Sequence, residues 1–216
     1  MKNIIFIAPA AAGKGTIAQL VEKKYNMPQV SMGDLFRDIT TKGTDLAKKV
    51  KDLIDNGIFV DDATAIEVIK ERIMQEDCKN GYVLDGFPRN LAQAEAYGQL
   101  LKDINMELGV VVLLEVDKSA LKSRIISRVT CPKCKKIYNN IFPKMMPKTE
   151  GICDKCKVEL VHRDDDNEAA FEVRYNTYLE KTAPLIDYYE KKGVLRRIDS
   201  TERDIAFEQL EAILND

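Results

Sequence analysis

Four cysteines make the most specific chemical pattern in this chain. They form two CxxC pairs, Cys131-Pro132-Lys133-Cys134 and Cys153-Asp154-Lys155-Cys156, with eighteen residues between them. Each pair offers two sulfur ligands from one tight turn, and this spacing is typical of a tetrahedral zinc site. Two disulfides are disfavoured in a chain without an export signal, and redox CxxC motifs normally occur singly. Because four sulfurs leave no open position on the metal, the pattern predicts one structural Zn²⁺ per chain without a catalytic role.

The N-terminal segment has the order strand, loop, helix that suits phosphate binding. A β-branched run at 3–8 leads into the loop 9–13, and Lys14-Gly15-Thr16 opens a helix. Backbone N–H groups of such a loop and the positive end of the helix dipole bind anions, and the lysine adds a point charge. The match to GxxxxGK[ST] is incomplete, since Ala8 replaces the first Gly and the hydroxyl comes one position late at Thr16. An ordinary strand-to-helix turn with an exposed lysine is the alternative.

The composition excludes several classes of protein. A length of 216 residues suits one domain, or one domain with insertions. Apolar residues make up 45% and charged residues 31%, so the chain can bury a core and is not globally disordered. The formal net charge of -2 provides no overall field for nucleic acid or an anionic membrane. Any anion-binding site must therefore be local.

Nucleic-acid binding stays open as a second class of function, because zinc knuckles occur in such proteins and residues 133–148 are basic. Aromatic side chains for base stacking are sparse there, limited to Tyr138 and Phe142, and three aspartates follow at 164–166. We expect no nucleic-acid partner.

Residues 1–10 imitate a secretory signal, with Lys2 before an apolar run that ends in small residues. The apolar run before Pro9 has four or five residues, whereas a signal peptide needs roughly 7 to 15. No stretch approaches the roughly 20 apolar residues of a membrane span. We expect a soluble, cytoplasmic protein without a membrane partner.

Hydrophobic periodicity predicts an alternation of strands and helices. Strands are expected at 3–8, 29–31, 81–85, 108–116 and 194–198, and helices at 15–24, 44–56, 64–75, 90–101, 117–128, 167–192 and after 201. Strands separated by helices form a parallel sheet with helices on both faces, so the fold class is α/β. Residues 131–159 are rich in Lys, Pro and Cys and break this pattern, which predicts an insertion. The fifth cysteine, Cys78, is expected to be a small buried hydrophobic residue.

The segment Asp85-Gly86-Phe87-Pro88-Arg89, which ends a strand and is followed by Gln93, resembles the signature of adenylate kinases and close nucleoside monophosphate kinases. Further segments resemble the family in the same order along the chain: 31–37, Arg124 with Arg128, and 163–166 with Arg174. The cysteine-bearing insertion is similar to the lid of many bacterial members. The resemblance covers essentially the whole chain.

The resemblance implies a P-loop three-layer fold, with a parallel sheet flanked by helices and a small zinc-bearing lid insertion. Its core domain would comprise 1–30, 61–127 and 167–216. Residues 31–60 would form the AMP-binding segment, and 128–166 the lid.

The resemblance also implies the site residues. The catalytic set is Lys14, Asp85, Arg89, Arg128, Arg163 and Arg174. The ATP-binding set is Ala11, Ala12, Gly13, Lys14, Gly15, Thr16, Arg124, Arg128, Ile137, Tyr138 and Glu202. The AMP-binding set is Met32, Arg37, Ile58, Phe59, Val60, Gly86, Phe87, Pro88, Arg89, Gln93, Arg163 and Arg174.

Physical chemistry agrees with these roles. Phosphoryl transfer gathers many negative charges, and guanidinium groups grip phosphate oxygens bidentately where lysine offers a point charge. Asp85, at the carboxyl end of a buried strand, is expected to orient Mg²⁺ and its waters. Gln93 can pair with one edge of adenine. His162, the single histidine, is expected to be a neighbour of Arg163 rather than a catalyst.

The expected reaction is ATP + AMP ⇌ 2 ADP with Mg²⁺, for adenine nucleotide homeostasis, by a monomer whose partners are ATP, AMP and ADP. A kinase for another nucleoside monophosphate (UMP or CMP) and a catalytically weakened nucleotide-binding homologue are the alternatives.

Four residues depart from the family pattern. Ala8 and Ala11 replace the usual Gly, Met32 a common Thr, and Asp61 a Pro. Because Ala adopts positive φ only with strain, the loop is either strained at an alanine or shaped so that neither alanine needs that conformation.

Overall fold

The computed structural model describes residues 2–40, 48, 50, 60–163 and 166–215. In chain order its elements are β1 (Ile4–Ile7), α1 (Lys14–Tyr25), β2 (Gln29–Ser31), α2 (Met32–Thr40), α3 (Asp62–Ile73), β3 (Val83–Asp85), α4 (Leu91–Asp103), β4 (Val110–Glu115), α5 (Lys118–Ile126), β5 (Arg128–Thr130), β6 (Ile137–Asn139), α6 (Glu168–Thr177), α7 (Pro184–Lys191), β7 (Leu195–Asp199) and α8 (Arg203–Asn215). Short 3₁₀ turns lie at Glu76–Cys78 and Pro143–Met145, and a π-helical segment at Tyr178–Thr182. Most of the helix predicted over 44–56, the expected AMP contacts Ile58 and Phe59, and the side chain of Arg37 lie outside the described part of the chain.

The main sheet is parallel and has the strand order β2-β3-β1-β4-β7. The chain leaves β1 towards one side of the sheet, forms β2 and β3 there, and returns across β1 to β4. Loops at the carboxyl ends of the central strands therefore diverge around β1, and ligands of open α/β sheets bind at such a point. The predicted α/β class is confirmed.

Helices cover both faces of the sheet, and this explains why its central strands are almost entirely apolar. Successive side chains of β1 point to opposite faces. Ile5 and Ile7 belong to one buried cluster, and Ile4 and Phe6 belong to the other. This gives the three layers that the resemblance implied. Cys78 is fully buried in the first cluster, as expected.

Several helices begin at a side-chain cap. The side chains of Asp61, Asn90 and Asn167 each accept a hydrogen bond from the backbone N–H three residues later, at 2.9, 2.8 and 2.9 Å. Such caps satisfy backbone donors that the first helical turn leaves unpaired. Asp61, the residue in place of a family Pro, thus has a defined role at the start of α3.

The insertion builds a separate small unit. β5 and β6 pair antiparallel, and Thr130 and Ile152 extend the pairing through isolated bridges to Val161 and Glu159. Its core consists of Val129, Cys131, Tyr138 and Cys153.

The predicted helix over 167–192 is divided into α6, the π-helical segment and α7. Across the described ranges, no helix has the length and apolar character needed to span a bilayer.

Candidate active site and metal centre

The loop between β1 and α1 has the backbone of an anion cradle. Ala11 has φ 65° and Gly13 has φ 100°, both left-handed, whereas Ala8 has no positive φ. Of the two alternatives left open by the sequence, strain at Ala11 is therefore the one observed. The Lys14 ammonium donates to the carbonyl oxygens of Ala8 and Pro9 at 2.9 and 2.8 Å, so the lysine lies over its own loop.

The ammonium of Lys14 lies close to other charged site residues. Burial is the main cause that lowers its pKa to about 8; Asp85 raises the pKa, while Arg89 and Arg128 lower it. These four side chains come from β1–α1, β3 and its loop, and the insertion. An anion bound here would favour the charged form of the lysine, because it would replace the missing hydration.

Asp85 ends β3, next to β1 in the sheet, and is in register with Phe6. Its Oδ2 accepts a hydrogen bond of 2.9 Å from Nε2 of Gln29, the first residue of β2. A Cβ placed on Gly15 would lie 3.6 Å from Asp85 Oδ2 and 3.3 Å from Ile137 Cδ1. The insertion therefore reaches the first turn of α1 beside this carboxylate.

A cluster of arginines surrounds the same region. Arg128 donates through Nε and Nη2 to the two carboxylate oxygens of Asp166, at 2.7 and 2.5 Å. Arg174 Nη1 lies 3.7 Å from Asp166 Oδ1. Burial lowers the pKa of Arg174 to about 10, with further lowering by Arg128, Arg163 and Arg89. Arg128 and Arg174 thus share one buried carboxylate, and the charges of Arg163 and Arg89 lie close to Arg174. The four guanidinium groups outnumber the carboxylate, which leaves a positively charged region.

Arg89 follows β3 and turns back on its own loop, where Nε donates to the Gly86 carbonyl at 2.8 Å. Gly86 has φ 80°, and a Cβ there would lie 3.2 Å from Arg89 Nη2. Desolvation by the surrounding protein lowers the pKa of Arg89, whereas the negative charge of Asp85 raises it. Phe87 is buried and packs edge-on against Tyr97, so its side chain holds this loop rather than facing a ligand.

Gln93 is buried, and both atoms of its carboxamide have protein partners. Oε1 accepts from the Arg89 N–H at 2.7 Å, and Nε2 donates to Asp62 Oδ1 at 2.7 Å. The amide therefore has one defined orientation, with one lone pair and one N–H left for a ligand. Asn90 Nδ2 also donates to Asp62, at 3.1 Å.

Arg124 leaves α5 towards the start of α8. Its Nη2 donates to the carbonyl oxygens of Ser200 and Thr201 at 3.0 and 2.6 Å, and its guanidinium lies 5.6 Å from the centre of the Phe142 ring. Lys144 of the insertion lies 3.7 Å from Glu202 and bonds to Asp204 at 3.1 Å. Arg124 and Glu202 thus lie on the insertion side of the core.

The four cysteines form one compact cluster, with all four Sγ atoms within 4.8 Å of one another. The two pairs have the same local structure. The N–H of the second cysteine lies 3.4 Å from the first Sγ in each pair, and the following residues, Lys135 and Lys157, are left-handed. Four convergent sulfurs with N–H donors suit a tetrahedral metal ion. The cluster can therefore bind a metal.

Some expected contacts involve side chains that point elsewhere. The Tyr138 hydroxyl lies 3.6 Å from Cys153 Sγ and accepts from the Asp154 N–H, so this side chain belongs to the cysteine cluster. Met32 is buried in the core. His162 is exposed beside Arg163.

Sequence reasoning assigned no role to four residues that hold the site together: Gln29, Asp62, Asp166 and Ser200. For Asp166 a local signal existed, since it ends the acidic run after Arg163. The other three have ordinary sequence surroundings, and only their partners reveal a role.

Comparison with known proteins agrees with this geometry. The family model described as adenylate kinase matches residues 6–194. The chain belongs to the adenylate kinase family. An adenylate kinase of Archaeoglobus fulgidus is 46% identical over 214 residues, 98% of this chain and 97% of that protein.

Other adenylate kinases are similarly close. One from Thermotoga neapolitana is 46% identical over 202 residues, 93% of this chain and 91% of its own length. One from Clostridioides difficile is 45% identical over 213 residues, 98% of each chain. Membership makes this chain a phosphotransferase of the nucleoside monophosphate kinase class, and the cysteine cluster at 131–156 fits a lid insertion of that fold.

Proposed function

We propose that this enzyme transfers the terminal phosphoryl group of ATP to AMP, giving two ADP, and also catalyses the reverse reaction. The supporting observation is the meeting of a left-handed phosphate loop with the arginines 89, 128, 163 and 174 at one edge of the sheet. Phosphoryl transfer from one nucleotide to another needs in-line positioning and neutralisation of charge, and little other chemistry.

In this proposal the loop residues Ala11–Thr16 hold the β- and γ-phosphates with their backbone N–H groups. Lys14 leaves the carbonyls of Ala8 and Pro9 and follows the transferring phosphoryl group. Arg128, Arg163 and Arg174 close around that group, and the phosphate oxygens then share these cations with Asp166. No general base is required, because the attacking AMP phosphate is already an anion.

Arg37 and Arg89 would hold the AMP phosphate, with the backbone of 58–60 beside the nucleotide. Gln93 would read the base edge with the lone pair and the N–H that Arg89 and Asp62 leave free. Arg124, Glu202 and the backbone of Ile137 and Tyr138 would contact ATP. Because its orientation is fixed, the Gln93 amide offers adenine one hydrogen-bond donor and one acceptor.

Two groups of side chains offer ligands that suit metal ions, Asp85 for Mg²⁺ and the four cysteines for Zn²⁺. Asp85, held by Gln29, would orient Mg²⁺ through its waters, and the ion would neutralise charge on the phosphates. Zn²⁺ would join the two cysteine pairs and hold the insertion together, with no open position for substrate.

In this proposal two pieces of the chain, residues 31–60 and residues 128–166, would close over AMP and ATP respectively, on a core of 1–30, 61–127 and 167–216. Closure of both pieces would exclude water, since a γ-phosphoryl group in contact with solvent is lost to hydrolysis.

A coupled assay of ADP formation tests the proposal, with MgATP and AMP, CMP, UMP or GMP as the acceptor in turn. AMP should be the preferred acceptor by at least an order of magnitude, the scale of one base-edge contact. Equal or faster reaction with UMP or CMP would replace the assignment by another monophosphate kinase. Nucleotide binding without turnover on any acceptor would identify a catalytically weakened homologue.

A further inference from the structure

Ser200 joins three parts of the ATP side of the site, although no sequence motif marks it. It lies between β7 and α8 and is 3% exposed. Its N–H donates to the Glu115 carbonyl at the end of β4 at 2.9 Å, and its carbonyl accepts from Arg124. Its hydroxyl donates to the Ala12 carbonyl in the phosphate loop at 2.6 Å. All three of its polar groups are therefore engaged, each with a different segment.

The hydroxyl bond acts on the peptide at the centre of the loop. Ala12 lies between the two left-handed residues, Ala11 at φ 65° and Gly13 at φ 100°. In a trans peptide the carbonyl and the next N–H point in opposite directions. Because Ser200 holds the Ala12 carbonyl, it also directs the Gly13 N–H away from Ser200. A Cβ on Gly13 would lie 3.2 Å from Ser200 Oγ, so the serine contacts this loop closely.

We propose that Ser200 is a positioning residue for the ATP phosphates. Its hydroxyl keeps the Ala12–Gly13 peptide turned so that the Gly13 N–H donates to phosphate, while its carbonyl keeps Arg124 on the same substrate. The inference rests on the proposed function of this loop as the ATP site. It predicts a defect confined to the ATP side, since the hydrogen bonds of Ser200 go to Glu115, Arg124 and Ala12 and none goes to a described residue proposed for AMP.

The Ser200→Ala variant isolates the hydroxyl, because the backbone bonds to Glu115 and Arg124 remain. Loss of one partner of a buried hydrogen bond predicts a KM for ATP raised roughly 5- to 20-fold, with the KM for AMP unchanged within about twofold. Ser200→Thr, which keeps the hydroxyl, should stay within about threefold of wild type. Ser123→Ala is the matched control, since Ser123 is exposed on α5 and its hydroxyl bonds within that helix at 3.2 Å.

Two further measurements separate positioning from a purely structural role. The ATP-induced shift of the Gly13 amide resonance should shrink in Ser200→Ala and be kept in Ser200→Thr. The rise in melting temperature on adding ATP should also shrink, while the rise on adding AMP should not. The thermal measurement still reports if Ser200→Ala folds only marginally.

Different results would contradict the role of Ser200 and the proposed function of the enzyme. An equal rise of both KM values, or a lower melting temperature with an unchanged KM for ATP, would overturn the positioning role. Wild-type protein that neither binds ATP nor forms ADP would instead refute the proposed function itself, whatever the Ser200 variants do.

Discussion

Arg128 and Asp166, 38 residues apart in the chain, form a bidentate ion pair in which the carboxylate has no solvent exposure. Arg174 shares the same carboxylate. One negative charge thus organises two cations, and an excess positive charge remains for phosphate. The pair connects β5, at the start of the insertion, with the segment that leads into α6.

Replacement of Asp166 by Asn should lower the free energy of unfolding by about 2 to 4 kcal/mol, because two partly buried cations lose their counter-ion. Urea unfolding measures the effect. Asp187→Asn, an exposed position on α7, serves as the control and should change little. Equal midpoints and slopes for Asp166→Asn and wild type would contradict the role of this pair.

Metal binding should stabilise the insertion. We expect about one Zn per chain by elemental analysis, and loss of metal in Cys134→Ser, since binding to such clusters is worth on the order of 10 kcal/mol. Cys78→Ala is the control, because this buried cysteine lies outside the cluster and the variant should retain its metal. A metal-free preparation with an unchanged melting profile and freely titrating thiols would rule out the zinc assignment.

Glycine should be better tolerated at position 11 than at position 10. Ala11 is left-handed, which costs an L-residue about 1 to 2 kcal/mol, whereas Ala10 has no positive φ. Ala11→Gly should therefore exceed Ala10→Gly in unfolding free energy by about that difference. ATP affinity of Ala11→Gly should be equal to wild type or tighter by up to about tenfold. Weaker ATP binding in Ala11→Gly would show that the alanine suits the bound loop.

Affinity for ATP should depend on the protonation of Lys14. Its pKa is lowered to about 8, mainly by burial, so the free enzyme loses this charge as the pH rises through 8. Bound phosphate favours the charged form, and ATP binding above pH 8 must take up a proton. Affinity should fall by up to about tenfold per pH unit above 8, since one proton is linked to binding. Lys14→Arg stays charged and should show a flatter profile by calorimetry; parallel profiles would exclude Lys14 as the linked group.

Acceptor choice should depend on Gln93 and on the carboxylate that orients it. Gln93→Ala should reduce the preference for AMP over CMP or UMP by about 1 to 3 kcal/mol. Asp62→Asn should also reduce this preference. A carboxylate only accepts hydrogen bonds, whereas an Asn amide can donate or accept, so it would not fix which end of the Gln93 amide faces it. Gln99→Ala, on the exposed side of the same helix, should leave kcat/KM for each acceptor unchanged. Unaltered preference in both Gln93 and Asp62 variants would remove this pair from base recognition.

Features that depend on a few consecutive residues were predictable from the sequence. Each CxxC pair and the strand-loop-helix at the N-terminus are local structures, since their sulfur ligands or N–H donors come from one turn. The alternation of apolar runs with amphipathic segments likewise predicted the parallel sheet, because a strand covered on both faces must be apolar throughout.

Tertiary structure alone decided the pairings that prepare the site. Ser200 meets Ala12 across 188 residues, and Gln29 meets Asp85 across 56, because the strand order brings the carboxyl ends of distant strands together. The sequence left open whether an alanine of the phosphate loop is strained. The backbone φ of 65° places the strain at Ala11 and not at Ala8. A hydrogen bond between distant residues leaves no trace in local periodicity, so residues such as Gln29, Asp62 and Ser200 acquire their roles only when the chain is folded.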